Sequence, residues 1–366
     1  MGDNKGSYFL TWKLMLTLRL YIDADHLDSP TSLSAIEQAA AVLQTGGTVA
    51  FPTETVYGLG ANALDAAAVA KIFSAKQRPG WDPLIVHLAD RTMLASITTD
   101  LSENATRLMD AFWPGPLTLL LPRTAAVPDA VTAGRPLVGV RVPQHPVAQA
   151  LLRAARLPVA APSANRFGRT SPTLAAHVAE DLDGRIDAIL DSGETTHGLE
   201  STVVDATAEP CVVYRPGVIT LEQIRAVCPT AVAFAEAVSD SDVEPSSLPS
   251  PGVGIRHYAP RARLVLVDGA DPGQMDRFAA AARAAEQAGE RLGLMLPETF
   301  AYEGAGVEAM VYRWGAWANE EELAQRLFAG LRWLDAAGVT VIVCPLPEAR
   351  GMGVAMRDRL KKAARS

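Results

Sequence analysis

The sequence predicts an α/β protein of two domains: a first domain on a mixed β-sheet, then a smaller one on a mostly parallel sheet. The chain has 366 residues, more than one hydrophobic core usually needs. Up to about residue 226, short strand-like runs mix with helical patterns without a strict β–α–β rhythm, which favours a mixed sheet. From about residue 262, strands and helices follow one another regularly, which favours parallel pairing.

The predicted elements rest on apolar spacing and on the residues that begin and end each segment. Helices carry apolar residues three and four positions apart, and the first of them ends at Gly46-Gly47. Strands are short β-branched or leucine-rich runs. In the first domain, the predicted strands are 16–22, 48–51, 84–88, 117–121, 138–142, 158–161, 188–190, 202–204 and 211–215, and the predicted helices are 32–44, 65–76, 102–112, 147–155 and 173–181. In the second, the strands are 264–267, 292–296, 308–312 and 339–344, and the helices are 274–288, 320–337 and 354–364.

The boundaries follow from composition. A segment at 231–250 mixes alanine, acids, serine and proline with little periodicity, which indicates a linker. We expect an N-terminal extension at 1–20, a first domain at 21–226, a linker at 227–261 and a second α/β domain at 262–366. The apolar N-terminal stretch is interrupted by Lys13 and Arg19 and has no cleavage site, so neither a membrane span nor a secretory signal is expected.

Charge and cysteine content narrow the classes of function. The net charge of −8 argues against broad, nonspecific nucleic-acid binding. The cysteines Cys211, Cys228 and Cys344 are scattered and form no C-x-x-C, so neither a disulfide framework nor a zinc site is expected. These properties predict a cytoplasmic protein that binds no membrane.

Polar side chains follow several of the predicted strands. The segment 51–60, F-P-T-E-T-V-Y-G-L-G, leaves a strand with hydroxyls and a carboxylate, and we expect Gly58 and Gly60 to let the backbone turn tightly. Such segments often hold ligands in α/β proteins, although threonine also suits strands and glycine suits turns. Lys76 and Arg78 could together grip a polyphosphate, or complement the dipole of the preceding helix equally well.

Four further places in the sequence show the same ambiguity. The string A-A-P-S-A-N brings Ser163 and Asn165 after a strand, where they suit phosphate, a hydrated metal or an ordinary turn. Arg141 and Arg215 lie at strand ends, where solvated arginines are common. His87 follows an apolar strand, where a hydrogen-bonded core histidine is the more frequent case. Together, these residues predict a pocket for an anionic, phosphorylated small molecule.

Common nucleotide signatures are absent from the sequence. It contains no G-x-x-x-x-G-K-[ST] and no kinase, H-E-x-x-H or G-x-S-x-G motif. Gly351-Met352-Gly353 has Met356 where a dinucleotide fingerprint needs its third glycine.

Eight motifs in order resemble the threonylcarbamoyl-adenylate synthase family in its two-domain form. They are P-T-E-T-V-Y-G-L-G, K-x-R before P-L-I-V-H, W-P-G-P-L-T, V-R-V-P-x-H-P, A-P-S-A-N, S-P-T, G-L-E-S-T-V-V-D and R-P-G, within 46–220. The resemblance implies a YrdC-like catalytic domain, a twisted mixed sheet with flanking helices and an open concave site, followed by a Rossmann-like domain. The strings S-P-G and R-H-Y-A-P in the linker resemble the interdomain loop that covers the active site.

The resemblance implies a nucleotidyltransferase that makes threonylcarbamoyl-AMP and pyrophosphate from L-threonine, bicarbonate or CO2, and ATP with Mg²⁺. The product would serve tRNA threonylcarbamoyladenosine modification by a separate transferase complex, with weak or no direct tRNA binding. No direct protein ligand for the metal is assigned. The implied catalytic residues are Lys76, Arg78, Ser163 and Asn165; the implied ATP contacts are these four with Asp82, Ser171, Arg215 and Ile255; the implied threonine contacts are Thr55, His87, Arg141, Ala161 and Ser201; and the implied lid residues are Arg256, His257 and Tyr258.

The sequence departs from the family pattern at two of these positions. Asp82 stands where the family usually has asparagine, and Ile255 where it often has an aromatic or polar residue. Two alternatives stay open: an RNA-binding module without synthase activity, and the carbamoyl transfer of hydrogenase-maturation relatives, whose extra acylphosphatase and zinc-finger modules this sequence lacks.

Overall fold

The computed structural model describes residues 16–235, 248, 250, 252, 257–268, 273–298 and 309–365. Within these residues, eleven strands form one mixed sheet in the order β1-β8-β2-β3-β7-β4-β6-β5-β9-β10-β11. The strands are β1 (Leu18–Tyr21), β2 (Val49–Phe51), β3 (Gly58–Asn62), β4 (Ile85–His87), β5 (Leu117–Pro122), β6 (Leu137–Arg141), β7 (Val159–Ala160), β8 (Ala188–Asp191), β9 (Thr202–Asp205), β10 (Val212–Arg215) and β11 (Val232–Ala233). The mixed sheet predicted from the sequence is confirmed.

Helices pack on both faces of this sheet. Along β2, Ala50 joins one hydrophobic core, whereas Val49 and Phe51 join another, as the two-residue period of a strand requires. The helices are α1 (Pro30–Gln44), α2 (Ala66–Lys76), α3 (Glu103–Phe112), α4 (Asp129–Thr132), α5 (Pro146–Ala155), α6 (Ala175–Leu182) and α7 (Leu221–Val227), with a 3₁₀ turn at Arg91–Ser96. Helices α1 and α5 cover the core of Val49, and α2 and α3 contribute to the core of Ala50.

The sequence analysis was wrong about the glycines of the opening motif. Gly58 and Gly60 do not turn the chain; they lie in β3, which pairs antiparallel with β2. A Cβ at Gly60 would lie 2.7 Å from Val159 Cγ1 and 2.8 Å from Phe51 Cε1. Glycine is therefore required by close packing between strands, a constraint that sequence spacing does not reveal.

This packing gives a first testable prediction. Gly60→Ala is expected to lower the free energy of unfolding by about 1–3 kcal/mol, because the added methyl group overpacks the sheet. Urea denaturation measures the change. Gly80→Ala is the matched control, because no atom lies within 4 Å of its added Cβ. Equal stabilities of the two variants would contradict the packing argument.

The second sheet contains four strands among the described residues, all parallel, in the order β12-β15-β13-β14. The elements are β12 (Arg263–Val267), α8 (Gln274–Gln287), β13 (Leu292–Pro297), β14 (Met310–Gly315), α9 (Glu320–Ala336), β15 (Val341–Pro345) and α10 (Gly353–Ala363). Helix α8 packs in one core, while α9 and α10 pack in the other. The parallel α/β fold predicted for this region is confirmed. The sequence analysis began one strand at residue 308, which lies outside the described residues.

The two sheets are joined by a shared core and by buried ion pairs. Val56 and Leu199 of the first region pack in the same apolar cluster as α9 and α10. Arg332 on α9 contacts Asp181 of α6 at 2.6 Å, with both side chains at most 10% exposed. This docking places α9 and α10 beside the loops that follow β2 and precede β9. No helix among the described residues has both the length and the apolar character that a membrane crossing needs.

Candidate functional site

A cleft lies where strand ends of the first sheet meet the segment before β12. Strands β4 and β6 are parallel and in register at His87 and Arg141, so both side chains reach the same edge. The turn between β2 and β3 and the loop after β7 form other walls. The lining residues are Thr53, Thr55, Val56, Gly58, Arg78, Pro83, Leu84, Ile85, His87, Arg141, Ala161, Pro162, Ser163, Glu200, Ser201, Arg215, Gly252, His257 and Tyr258.

The structure brings most of the predicted site residues together in this one cleft. The exceptions with described positions are Lys76, Asp82, Asn165 and Ser171, which lie behind its wall. Ile255 and Arg256, also predicted at the site, lie outside the described residues. No group of three or more histidine, cysteine or acidic side chains suited to a metal ion occurs in the described part of the chain.

Arg141 is held by a network that the sequence analysis only partly anticipated. Its Nη1 donates to Thr55 Oγ1 at 2.9 Å, its Nε donates to the Gly115 carbonyl at 3.2 Å, and its Nη2 lies 2.6 Å from Glu54 Oε1. Burial raises the pKa of Glu54, but the charge of Arg141, its hydrogen bond and the backbone hydrogen bonds together outweigh burial, so the pKa ends below its ordinary value. Glu54 therefore stays ionised and fixes the arginine. An arginine side chain carries five N–H groups, and these three contacts use three of those of Arg141, which leaves two for a ligand.

Arg78 makes the second buried ion pair of the site. Its Nη2 lies 2.9 Å from Asp82 Oδ1, and its guanidinium also donates to the backbone carbonyls of Asp82 and Pro83. Asp82 is 1% exposed, and burial raises its pKa against the lowering effect of Arg78. The aspartate that departs from the family pattern thus faces the arginine rather than the cleft.

Lys76 and Asn165 support the loop after β7 from behind. Helix α2 ends at Lys76, and the next residue, Gln77, has φ of 55°. The Lys76 ammonium donates to the carbonyls of Ser163 and Asn165, both at 2.5 Å. Burial and the charge of Arg78 lower the Lys76 pKa well below its usual range. Asn165 Nδ2 donates to the Arg166 and Arg169 carbonyls. These contacts shape the loop that presents Ser163; the predicted phosphate contacts of both residues stay predictions.

Residues before β9 and at the end of β10 form the opposite wall. Arg215 donates to the Ser201 carbonyl at 2.9 Å and to Ser201 Oγ at 3.1 Å. Ser171 Oγ donates to Glu200 Oε1 at 2.6 Å, so Ser171 is linked to the cleft through an acid that lines it. Glu200 and Glu54 both stand in motifs quoted from the sequence, but the sequence analysis assigned neither of them a role at the site.

His257 and Tyr258 close the cleft from the segment before β12. Tyr258 has φ of 64°, and its buried ring stacks on Phe328 of α9 with centroids 5.8 Å apart. The His257 ring packs against Phe167 and Tyr258, and its Nδ1 has no hydrogen-bond partner among the described residues. Burial and the charge of Arg78 lower the His257 pKa well below its usual range, so the ring is neutral.

His87 gives a prediction on pH dependence. Burial, followed by the charge of Arg141, lowers its pKa to about 3, whereas an unfolded histidine titrates near about 6.5. Its stabilising contribution is therefore complete above about pH 6.5 and is lost as the pH falls towards about 3. Urea denaturation measures the free energy of unfolding from about pH 7 to about pH 4.5. This free energy should change with pH less steeply in His87→Gln than in the unaltered protein, by up to about 1.4 kcal/mol per pH unit.

The control for this prediction is the exposed His26, whose hydrogen bond to Asp23 raises its pKa. His26→Gln should not make the slope shallower, because its protonation favours the folded state. Identical slopes for His87→Gln and the unaltered protein would contradict the assignment of His87 as a neutral buried group.

Fold and site together define an α/β enzyme-type protein with an arginine-lined cleft that the segment before β12 closes. A family described as "Telomere recombination" matches residues 41–217, and one described as "Threonylcarbamoyl-AMP synthase, C-terminal domain" matches residues 219–365. The threonylcarbamoyl-AMP synthase of Bacillus subtilis is 44% identical over 354 residues, covering 96% of this chain and 98% of that protein. The Pyrococcus abyssi protein of the same name is 41% identical over 329 residues, covering 90% and 94%.

The chain therefore belongs to the threonylcarbamoyl-AMP synthase family, as its motifs predicted. The crystal structure of P. abyssi Sua5 complexed with L-threonine superposes with a TM-score of 0.87 at 40% identity, covering 95% of this chain and 98% of that one. A P. abyssi Sua5 structure in which an adjacent histidine and tyrosine are replaced by alanine gives a TM-score of 0.86 at 39% identity, with 95% and 96% covered.

Proposed function

We propose that this protein is an L-threonylcarbamoyl-adenylate synthase, which makes threonylcarbamoyl-AMP and pyrophosphate from L-threonine, bicarbonate or CO2, and ATP. The observation that carries the proposal is the convergence of Arg78, Arg141 and Arg215 on one cleft that also presents hydroxyl groups. Three guanidinium groups suit a ligand with several negative charges. Family membership and the threonine complex of the P. abyssi protein support the same reaction.

The two buried ion pairs divide the cleft into two subsites. Arg141, oriented by Glu54 and Thr55, keeps two free N–H groups and would bind the threonine carboxylate bidentately. Its neighbours His87, Ala161 and Ser201 would contact the rest of that amino acid. At the other subsite, Arg78, Arg215 and Ser163 would bind the triphosphate, while Lys76 and Asn165 act through the loop that they hold. Magnesium would enter with ATP, bound chiefly by phosphate oxygens and water.

The reaction brings anions together, so the cleft must neutralise and align them. The amine of threonine adds to CO2 and loses a proton, which gives a carbamate. A carbamate oxygen then attacks the α-phosphorus of ATP, and the bond to pyrophosphate breaks. The carbamate is already nucleophilic, so the contribution of Arg78 and Arg215 is charge stabilisation and orientation. His257 and Tyr258 would exclude water from a labile product.

The test is pyrophosphate release from Mg·ATP with bicarbonate across the twenty common amino acids. Release that requires both L-threonine and bicarbonate is the expected result. Release without any amino acid would contradict the threonine assignment and favour another carbamoyl-adenylate reaction. If nothing releases pyrophosphate while the protein binds tRNA in a salt-sensitive manner, the RNA-binding alternative would replace the proposal. The product would pass to a tRNA-modifying transferase complex in the cytoplasm.

A further inference from the structure

Helix α10 places two buried cations against the cleft of the first domain. Arg359 is 1% exposed and Lys362 2% exposed. The Nε of Arg359 lies 2.8 Å from Glu200 Oε2, and its Nη2 donates to the Pro216 carbonyl at 3.0 Å. Lys362 donates to the Gly252 carbonyl at 2.7 Å. Glu200 and Gly252 both line the cleft, so the last helix of the chain supports its wall directly.

Among the described residues that line the cleft, the acidic one is Glu200. Its side chain is 7% exposed and one of its oxygens accepts a hydrogen bond from Ser171. A buried carboxylate without a counter-charge would repel the phosphates of a nucleotide and the carbamate. Among the described residues, the cation that forms an ion pair with Glu200 is Arg359. The charge balance of the site therefore depends on a residue 159 positions further along the chain.

The other two ion pairs of the cleft form entirely within the first sheet region. Arg78 and Asp82 lie four residues apart, and Glu54 and Arg141 both belong to the first sheet region. Arg359 alone comes from the second region. Its guanidinium also lies 5.0 Å from the centre of the Tyr258 ring, which ties the same cation to the closing segment.

We propose that Arg359 is a positioning residue for nucleotide binding, which neutralises Glu200 and holds it against Ser171 so that the cleft accepts Mg·ATP. The inference rests on the proposed function and assigns part of the site to the second domain. Charge compensation and simple domain docking predict different outcomes. Only charge compensation predicts that removing the charge of Glu200 will restore the nucleotide binding that is lost with Arg359.

The experiment compares Arg359→Met with Arg357→Met in the full chain. Arg357 lies on the same helix, but it pairs with Asp268 at 2.8 Å and does not reach the cleft. The readouts are KM for ATP, kcat, and the Kd of Mg²⁺ with a non-hydrolysable ATP analogue. Arg359→Met should raise KM and Kd at least about tenfold, as expected when one partner of a buried charge pair is removed. Arg357→Met should change both by less than about twofold.

A double variant, Arg359→Met with Glu200→Gln, tests the mechanism. Gln still accepts a hydrogen bond from Ser171 and carries no charge, so the Kd should return to within about threefold of the unaltered protein. A folded double variant that binds nucleotide as weakly as Arg359→Met would overturn the proposal, and so would an Arg359→Met protein that binds as well as Arg357→Met. Thermal denaturation verifies folding. If Arg359→Met does not fold, the double variant decides alone: a Kd within about threefold of the unaltered protein supports the proposal, and a Kd raised at least about tenfold overturns it.

The titration keeps this inference separate from the proposed function. If the unaltered protein binds the ATP analogue but releases no pyrophosphate with L-threonine, the proposed reaction fails while the role of Arg359 is still measured. If the unaltered protein binds no nucleotide, the inference is contradicted together with the nucleotide site.

Discussion

Arg141→Met is expected to abolish threonine-dependent pyrophosphate release and to lower the free energy of unfolding by about 3–5 kcal/mol. The large loss of stability follows because Glu54, whose side chain is 5% exposed, would keep its charge without a partner. The activity loss follows because the proposed ligand of the threonine carboxylate is gone. Urea denaturation and a pyrophosphate assay measure the two effects on the same preparation.

The double variant Arg141→Met with Glu54→Gln separates the two effects. It removes both charges of the Glu54–Arg141 pair, so most of the lost stability should return. Activity should stay absent, since glutamine cannot replace a cation for the carboxylate. A stable double variant with threonine-dependent activity would show that Arg141 serves only to compensate Glu54, and the threonine subsite would have to be placed elsewhere in the cleft.

The sequence was most informative where strand ends carry the chemistry. Arg141 and His87 were noted at the ends of predicted strands, and the family motifs then implied that they and Ser201 contact threonine; in the structure β4 and β6 bring His87 and Arg141 to one edge of the sheet. The mixed sheet and the parallel sheet could be predicted because hydrophobic period and turn residues are local properties. Helix α7 was missed although Thr220 and Gln223 form a capping box, a signal that the sequence does contain.

The remaining features depend on tertiary contacts that local patterns do not encode. Nothing near Arg359 in the sequence indicates that it pairs with Glu200, because the two residues lie 159 positions apart and meet only in the tertiary structure. The sequence alone suggests that Gly60 is a turn residue, whereas the structure shows that glycine is needed there because Val159 packs against it. Lys76 and Arg78 are two residues apart, yet Lys76 lies behind the cleft wall and Arg78 lines the cleft, because Gln77 between them takes a left-handed conformation.

Because Arg78 lines the cleft and Lys76 does not, replacing Arg78 is expected to have the larger effect on activity. Arg78→Met is expected to reduce kcat/KM for ATP at least about a thousandfold, since one cation of the phosphate subsite is lost. It should also destabilise the fold by about 3–5 kcal/mol, because Asp82 would be buried without its partner. A steady-state assay and urea denaturation measure the two losses.

Asp82→Asn provides the matched test of why the aspartate is tolerated. Asparagine keeps an oxygen beside Nη2, and Arg78 keeps its bonds to the two backbone carbonyls, so activity should stay within about threefold. Combining Asp82→Asn with Arg78→Met should restore stability but not activity. If Asp82→Asn alone lowers ATP binding as strongly as Arg78→Met, Asp82 has a direct role at the nucleotide. If it has no effect, the acid serves only to hold the arginine, and the departure from the family pattern leaves the phosphate subsite intact.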